Sequence, residues 1–211
     1  MTKQLHIALP KGRLADEVFS LLKKAGYTVP KNTNSRKLII EDTKNNFTYF
    51  LVKPTDVITY VEEGVCDIGI IGKDNILEES KDIYELLDLS LGRCKMVVAG
   101  IESAVMTQAN PLTVATKYPL IAKTYFKKIN KPVDIIKLNG SVELGPLVGL
   151  SDVIVDIYET GNTLRANGLS VFDDIVNISS RLIANKASYR LKNTAIKTIT
   201  KKLQKGVDSN A

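Results

Sequence analysis

The sequence predicts an α/β protein built on largely parallel sheets. Short runs rich in Val, Ile and Leu alternate along the chain with stretches whose apolar residues recur at helical spacing. Several of those runs end in a Gly- or Thr-containing loop that opens straight into a helical stretch, the order expected of parallel strand–helix units.

Leu5–Leu9 reads as the first strand. Apolar residues at 15, 18, 19, 21, 22 and 25 then follow a helical repeat, with Gly26 as the stop. Lys37–Ile40 and Phe47–Val52 are β-rich and flank the turn-forming Lys44-Asn45-Asn46. Pro54 opens a helix through Val61 that closes near Gly64, with Pro in the first turn and Gly past the last. Asp67–Ile71 is a buried strand ending at Gly72. Further strands are predicted at Lys95–Ala99, Leu112–Thr116, Val133–Leu138, Val153–Ile157 and Val171–Ile178. Helices are predicted from Pro119 to Ile129 and, interrupted by Pro146, over Val142–Val148. Most of 179–205 reads as helical, and the final GVDSNA as frayed.

At roughly 150 residues per domain, 211 residues make one to two domains. An apolar share of 44% and a charged share of 25% exclude collagen-like, disulfide-stapled and mostly disordered chains. Lys and Arg number 29 against 23 Asp and Glu, a net charge of +6 that favours polyanionic partners without choosing among them. Many of the basic residues lie after Lys186, in KASYRLKNTAIKTITKKLQK, which is either a solvated helix face or a docking surface. No recognisable nucleic-acid motif, no Trp and only 6% aromatic residues argue against a nucleic-acid binder.

Cys66 and Cys94 lie in apolar surroundings without CxxC or Cys/His spacing and read as reduced packing residues. His6, the only histidine, sits inside the first strand and reads as a core residue. One His and two scattered Cys make no metal site, and covalent nucleophilic catalysis is disfavoured. There is no apolar run of about 18 residues to span a membrane, and no apolar signal-peptide core. A cytoplasmic protein without membrane association is expected.

The segment Asp152–Leu169, DVIVDIYETGNTLRANGL, carries the chemistry. A Val/Ile strand ends in Asp156, and Thr160-Gly161-Asn162-Thr163 precedes a helical segment starting near Leu164. Free backbone N–H groups at a helix start, with the helix dipole, suit a phosphate. Gly161 lets the main chain approach the anion, and Thr160 and Thr163 add hydroxyl donors. Asp156 and Glu159 suit sugar hydroxyls or a divalent cation carried by the substrate. The plainer reading is that Asp156 and Thr160 cap the next helix.

Other candidates divide in the same way. Lys11-Gly12-Arg13 joins a strand to a helix and suits a polyphosphate, or is an exposed loop. Arg36 is a nucleotide contact or a surface ion pair. Gly69, Gly72 and Asp74 lie at the carboxyl end of a strand, where α/β sheets place ligands, or the glycines serve packing. Glu143 faces a site or caps its helix.

The stretch DxIVDxxxTGNTLRANGL resembles the phosphoribosyl-pyrophosphate loop of the ATP phosphoribosyltransferases, the first enzymes of histidine biosynthesis. Related loops often carry two adjacent acids. Here Val155 replaces the first and Asp156 remains, the pattern of the ATP-specific family. Leu9–Leu14 (LPKGRL), Ser35–Leu38, Gly64–Asp74 (GVCDIGIIGKD), Gly140–Glu143 and Arg181–Asn185 (RLIAN) are similar to further family segments in the same order. One departure stands out. Where many members read Val-Arg-Pro, this chain has Val52-Lys53-Pro54, a mobile point charge in place of a planar fork.

The resemblance implies a two-lobed, periplasmic-binding-protein-like fold with a cleft. Residues 1–90 with 174–211 would form one lobe, and residues 91–173 the lobe that carries the phosphoribosyl-pyrophosphate loop. It implies transfer of phosphoribosyl from phosphoribosyl pyrophosphate to N1 of ATP, with Mg²⁺ carried on the substrate phosphates. Lys11, Arg13 and Lys53 would act on the polyphosphate. Gly12, Arg36, Gly72, Asp74, Glu143, Asp156, Glu159, Thr160, Gly161, Asn162, Thr163 and Leu164 would bind substrate. The 26 residues after RLIAN are too few for a C-terminal regulatory domain. A homodimer is therefore expected, assembling into a hetero-octamer with a histidyl-tRNA-synthetase-like regulatory subunit. Two rivals remain: a phosphoribosyltransferase with another acceptor base, and a non-catalytic bilobed anion-binding module.

Overall fold

Strand β1 (Leu5–Pro10) alternates its side chains between two layers of core. Leu5, Ile7 and Leu9 join one apolar cluster and Ala8 joins another, as the period of two along a strand requires. The computed structural model containing it describes residues 4–30, 37–102 and 111–209. Helix α1 (Arg13–Lys24) follows and buries Ala15, Val18, Phe19, Leu21 and Leu22, the face the sequence marks as apolar. Next come β2 (Ile39–Asp42), β3 (Phe47–Val52), a 3-10 turn at Pro54–Asp56, α2 (Val57–Glu62), β4 (Ile68–Gly72), α3 (Lys73–Glu79) and β5 (Tyr84–Asp88).

A second run of elements comprises β6 (Cys94–Ile101), β7 (Leu112–Thr116), α4 (Pro119–Lys128), β8 (Val133–Lys137), α5 (Leu144–Leu147), β9 (Val153–Tyr158), α6 (Asn162–Ala166) and β10 (Leu169–Ile178). The chain ends in β11 (Ser180–Ala184), α7 (Lys186–Leu191) and α8 (Asn193–Asp208). Two compact units result. One contains Met1–Ile76, Ser80–Gly92 and Ser179–Ala211, and the other contains Leu77–Glu79 and Arg93–Ile178.

The first unit has a six-stranded sheet in the order β2-β3-β1-β4-β11-β5. Its centre, β3-β1-β4, is parallel, and β2, β11 and β5 add antiparallel strands. One face packs under α1 and α8 through Val18, Phe19, Leu22, Ile196, Ile199 and Leu203. The other packs under α2 through Val57, Ile58 and Val61. Gly69 is the contact point there. A Cβ on it would stand 2.7 Å from Val61 Cγ2, so this glycine serves packing between α2 and β4.

The second unit has a five-stranded sheet in the order β10-β6-β9-β7-β8. Strands β9, β7 and β8 are parallel, while β6 and β10 are antiparallel additions. Val153 and Val155 face α4, with Ile121, Ala122 and Phe126. Ile154 and Tyr158 face the opposite layer, with Val142, Leu164 and Leu169.

The α/β class with two sheets is as the sequence predicts. Helix α3 and strand β5 are not among the predicted elements, and two predicted ones differ in kind or extent. The segment 179–205 is not helical throughout, because Ser180–Ala184 forms β11, inserted between β4 and β5. Leu182, Ile183 and Ala184 are fully buried on both faces of the sheet, and so short a continuous apolar run carries no period to tell strand from helix. The helix expected over Val142–Val148 is reduced to the single turn of α5, since Pro146 supplies no N–H.

Candidate active site

The predicted basic residues of the first unit gather on one sheet edge. Strands β1, β3 and β4 are parallel, so Pro10, Val52 and Gly72 end on the same side. The loops that leave them carry Lys11-Gly12-Arg13, Lys53 and Gly72-Lys73-Asp74. The Lys11 N–H donates to the Val52 carbonyl at 2.9 Å, fixing the first loop against the second. Gly12 has φ +97° and ψ −155°, a conformation that excludes side chains even though open space surrounds it. Lys11 and Lys53 are exposed. Arg13 turns along α1, where its Nε lies 3.6 Å from Glu17, and it lines a shallow depression with Ser90 and Gly92.

Asp74 is 7% exposed and folds back over its own helix start. A Cβ on Gly72 would meet Asp74 Oδ1 at 2.2 Å, so Gly72 makes room for that carboxylate. Asn75 Nδ2 donates to Asp74 Oδ2 at 2.9 Å. Arg36 lies outside the described residues.

In the second unit β9 lies mid-sheet and ends in the predicted loop. Asp156 shares the strand face of Ile154 and Tyr158 and lies above the layer that holds Leu164. Burial pushes its carboxyl up to about 6. A hydrogen bond from the Ile157 N–H opposes this, Glu143 adds to it, and Lys117 opposes it. Glu143 stands at the start of α5, and Lys117 follows β7. Thr116, fully buried, ties the two strand ends together. Its Oγ1 donates to the Val155 carbonyl at 2.7 Å and accepts from the Tyr118 N–H at 2.8 Å.

Gly161 sits at φ +72° with the Tyr158 ring 2.6 Å from where a Cβ would stand, so backbone and space both demand glycine. Glu159, Thr160, Asn162 and Thr163 around it are exposed, while Leu164 is buried beneath the loop. Helix α6 has only five residues, so the expected helix dipole is slight and the loop's own N–H and hydroxyl groups remain as donors. Thr160 Oγ1 accepts from the N–H of Asn162, the first residue of α6, at 3.4 Å, a long capping contact, and the N-cap position itself is Gly161, which has no side chain to cap with. Arg165 Nη2 donates to the Thr160 carbonyl at 2.8 Å and to Asn162 Oδ1 at 2.7 Å, and Asn167 Nδ2 donates to the Thr163 carbonyl at 2.8 Å.

Lys117, Thr116, Arg165 and Asn167 carry no role in the sequence reading. Arg165 is the one with a local signal, since it lies three residues after Asn162 on the same helix face. The RLIAN segment proves structural at its last residue. Asn185 Oδ1 accepts from the Ser188 N–H to cap α7, and its Nδ2 donates to the carbonyls of Val61 and Glu62 at the end of α2.

An acid-tipped parallel strand running into a Thr-Gly-x-Thr loop on an α/β sheet is the mark of a phosphoribosyl-transferring enzyme. Residues 53–205 match the family described as HisG, ATP phosphoribosyltransferase. An ATP phosphoribosyltransferase of Clostridioides difficile is 56% identical over 92% of this chain and 94% of its own length. Another, from a Thermoanaerobacter species, is 54% identical over 98% of each. Among solved structures, an ATP phosphoribosyl transferase (HisG:HisZ) complex from Thermotoga maritima superposes with a TM-score of 0.83 at 36% identity, covering 99% of this chain and all of that one. The chain belongs to the HisG family of ATP phosphoribosyltransferases.

Proposed function

We propose that the chain joins ATP and phosphoribosyl pyrophosphate into N1-(5-phosphoribosyl)-ATP and pyrophosphate, the first step of histidine biosynthesis, and that the β9–α6 loop cradles the 5-phosphate. The observation that carries the assignment is Gly161, held left-handed against Tyr158 at the end of a mid-sheet strand and flanked by exposed Thr160 and Thr163.

The lone pair of adenine N1 attacks the anomeric carbon while the bond from that carbon to the pyrophosphate oxygen breaks. The ring nitrogen is unprotonated, so no strong base is needed, in keeping with a chain that has one His. Rate then comes from positioning and from neutralising the leaving group. Asp156 and Glu159 accept hydrogen bonds from the ribose hydroxyls. Lys11, Arg13 and Lys53, on loops at one sheet edge, supply charge to polyphosphate, and Gly12 lets the backbone close on it. Gly72 and Asp74 shape the third loop of that edge.

Carried on the substrate phosphates, Mg²⁺ would supply positive charge to the leaving pyrophosphate. Asp156 and Glu159 are the carboxylates that would meet such a cation, with phosphates supplying its other ligands. Among the described residues no cluster of three His, Cys, Asp or Glu forms a metal site of the protein's own. Its substrates are metabolites of the cytoplasm, where we place the enzyme. Likeness to the Thermotoga maritima HisG:HisZ complex supports assembly with a second, regulatory subunit, for which the form we propose is a homodimer built into a hetero-octamer with a histidyl-tRNA-synthetase-like partner.

The test is pyrophosphate release from ATP, phosphoribosyl pyrophosphate and Mg²⁺, with ATP omitted as control, for the chain alone and with its regulatory partner. ATP-dependent release supports the reading. No release with the partner present overturns it. Thr163→Ala should weaken phosphoribosyl pyrophosphate binding about tenfold, one charge-assisted hydrogen bond, without lowering the melting temperature. Unchanged affinity would remove the loop from the site.

A further inference from the structure

Within the loop assigned to the 5-phosphate, the side-chain contact to the start of α6 is long, Thr160 Oγ1 accepting from the Asn162 N–H at 3.4 Å, and Gly161 at its centre has no side chain to anchor it. Arg165 supplies a shorter and charged restraint. It stands on α6, and one nitrogen of its guanidinium bridges the Thr160 carbonyl at 2.8 Å and Asn162 Oδ1 at 2.7 Å, the two residues on either side of Gly161. A trans peptide points its C=O and N–H in opposite directions. Holding the Thr160 carbonyl on Arg165 therefore aims the Gly161 N–H away from Arg165. The same nitrogen keeps the Asn162 side chain on its own side of the loop. A phosphate that meets this loop finds its donors already set and pays little ordering entropy.

We propose that Arg165 is a positioning residue for phosphoribosyl pyrophosphate. It acts through Thr160 and Asn162 rather than by touching the substrate, and it rests on the assignment of this loop to the 5-phosphate. A lysine should replace it only in part, because its ammonium rides on a flexible stem and is not held in the plane that aims Nη2 at both acceptors.

The experiment compares Arg165→Ala, Arg165→Lys, Asn162→Ala, the Arg165→Ala/Asn162→Ala pair and Thr163→Ala in the enzyme assembled with its regulatory partner. Steady-state constants are read for each substrate beside melting temperatures. Arg165→Ala should raise KM for phosphoribosyl pyrophosphate about tenfold, the loss of one charge-assisted hydrogen bond's worth of order. KM for ATP, kcat and the melting temperature should stay close to the parent. Arg165→Lys should recover only part of the affinity, and the double variant should be no worse than the poorer single one. An unchanged KM in Arg165→Ala beside a raised one in Thr163→Ala would overturn the brace and keep the cradle. If neither variant moved KM, both ideas would fall. Full recovery by lysine would overturn the brace in favour of charge alone. A lowered melting temperature with both KM values raised alike would reduce Arg165 to a structural role.

Discussion

Asp156 shows what a functional residue costs its own fold. Burial raises its carboxyl from the ordinary 3.8 to about 6, so the ionised form is less at ease in the folded chain than in the unfolded one. The sign follows. From pH 4 to pH 6 the folded state holds the proton that the unfolded state releases, and stability falls as pH rises through that window. At neutral pH the penalty is on the order of 1–3 kcal/mol at this half-buried position. Asp156→Asn should therefore raise the melting temperature at pH 7, and the gain should vanish near pH 3.5. The same variant should lose most of its transferase activity, because the amide keeps one acceptor oxygen but loses the carboxylate's charge and its second acceptor for the ribose hydroxyls. In the parent, kcat/KM for phosphoribosyl pyrophosphate should decline below about pH 6, as the carboxylate gains its proton. A variant that is steadier and still active would remove Asp156 from the site.

At the level of elements, the parallel strands matter because they deliver loops to one edge. The TGNT loop was legible since strand, loop and helix are contiguous in sequence. The Lys11 and Lys53 loops were legible as separate motifs, but their meeting depends on the β1–β3 register, which sequence does not print. Lys117 escaped notice for that reason too. It follows the strand beside β9, and its influence on Asp156 exists only once β7 and β9 pair. Strand β5 leaves no mark in the sequence and β11 reads as helix, because each is a five-residue run whose neighbours decide its state. Helix α4 shows the same dependence. No local side chain caps it, yet Glu78 accepts from the N–H groups of Leu120 and Ile121 at 3.0 and 3.1 Å. Glu78→Ala should cost about 1 kcal/mol, the usual worth of an N-terminal cap, read as a shift in denaturation midpoint at constant slope. Glu78→Gln should recover part of it.

On the scale of the whole molecule, the first unit is closed by its last residues. Lys192, where α7 meets α8, donates to Asp67 at 2.6 Å and to the Gln4 carbonyl at 2.8 Å. Asp67, 4% exposed, also accepts from the His6 N–H at 2.8 Å. Lys192→Met keeps the stem's packing and strands the buried carboxylate, so it should destabilise by about 3 kcal/mol. The double variant with Asp67→Asn should recover much of that loss. Equal instability in both would show that the ion pair contributes nothing beyond packing.

Because β11 lies between β4 and β5, the sheet of the first unit is incomplete until the C-terminal segment arrives. The ribosome delivers Arg93–Ile178 as one uninterrupted stretch before that segment exists. Order of synthesis and order of assembly thus diverge: the unit made second has all its strands first, while the one begun earliest waits with a gap in its sheet. During that wait the facing edges of β4 and β5 are open to other chains, and a slow or truncated C-terminus leaves them so. Aggregation during production should therefore follow the integrity of residues 180–208 more closely than that of the catalytic loop.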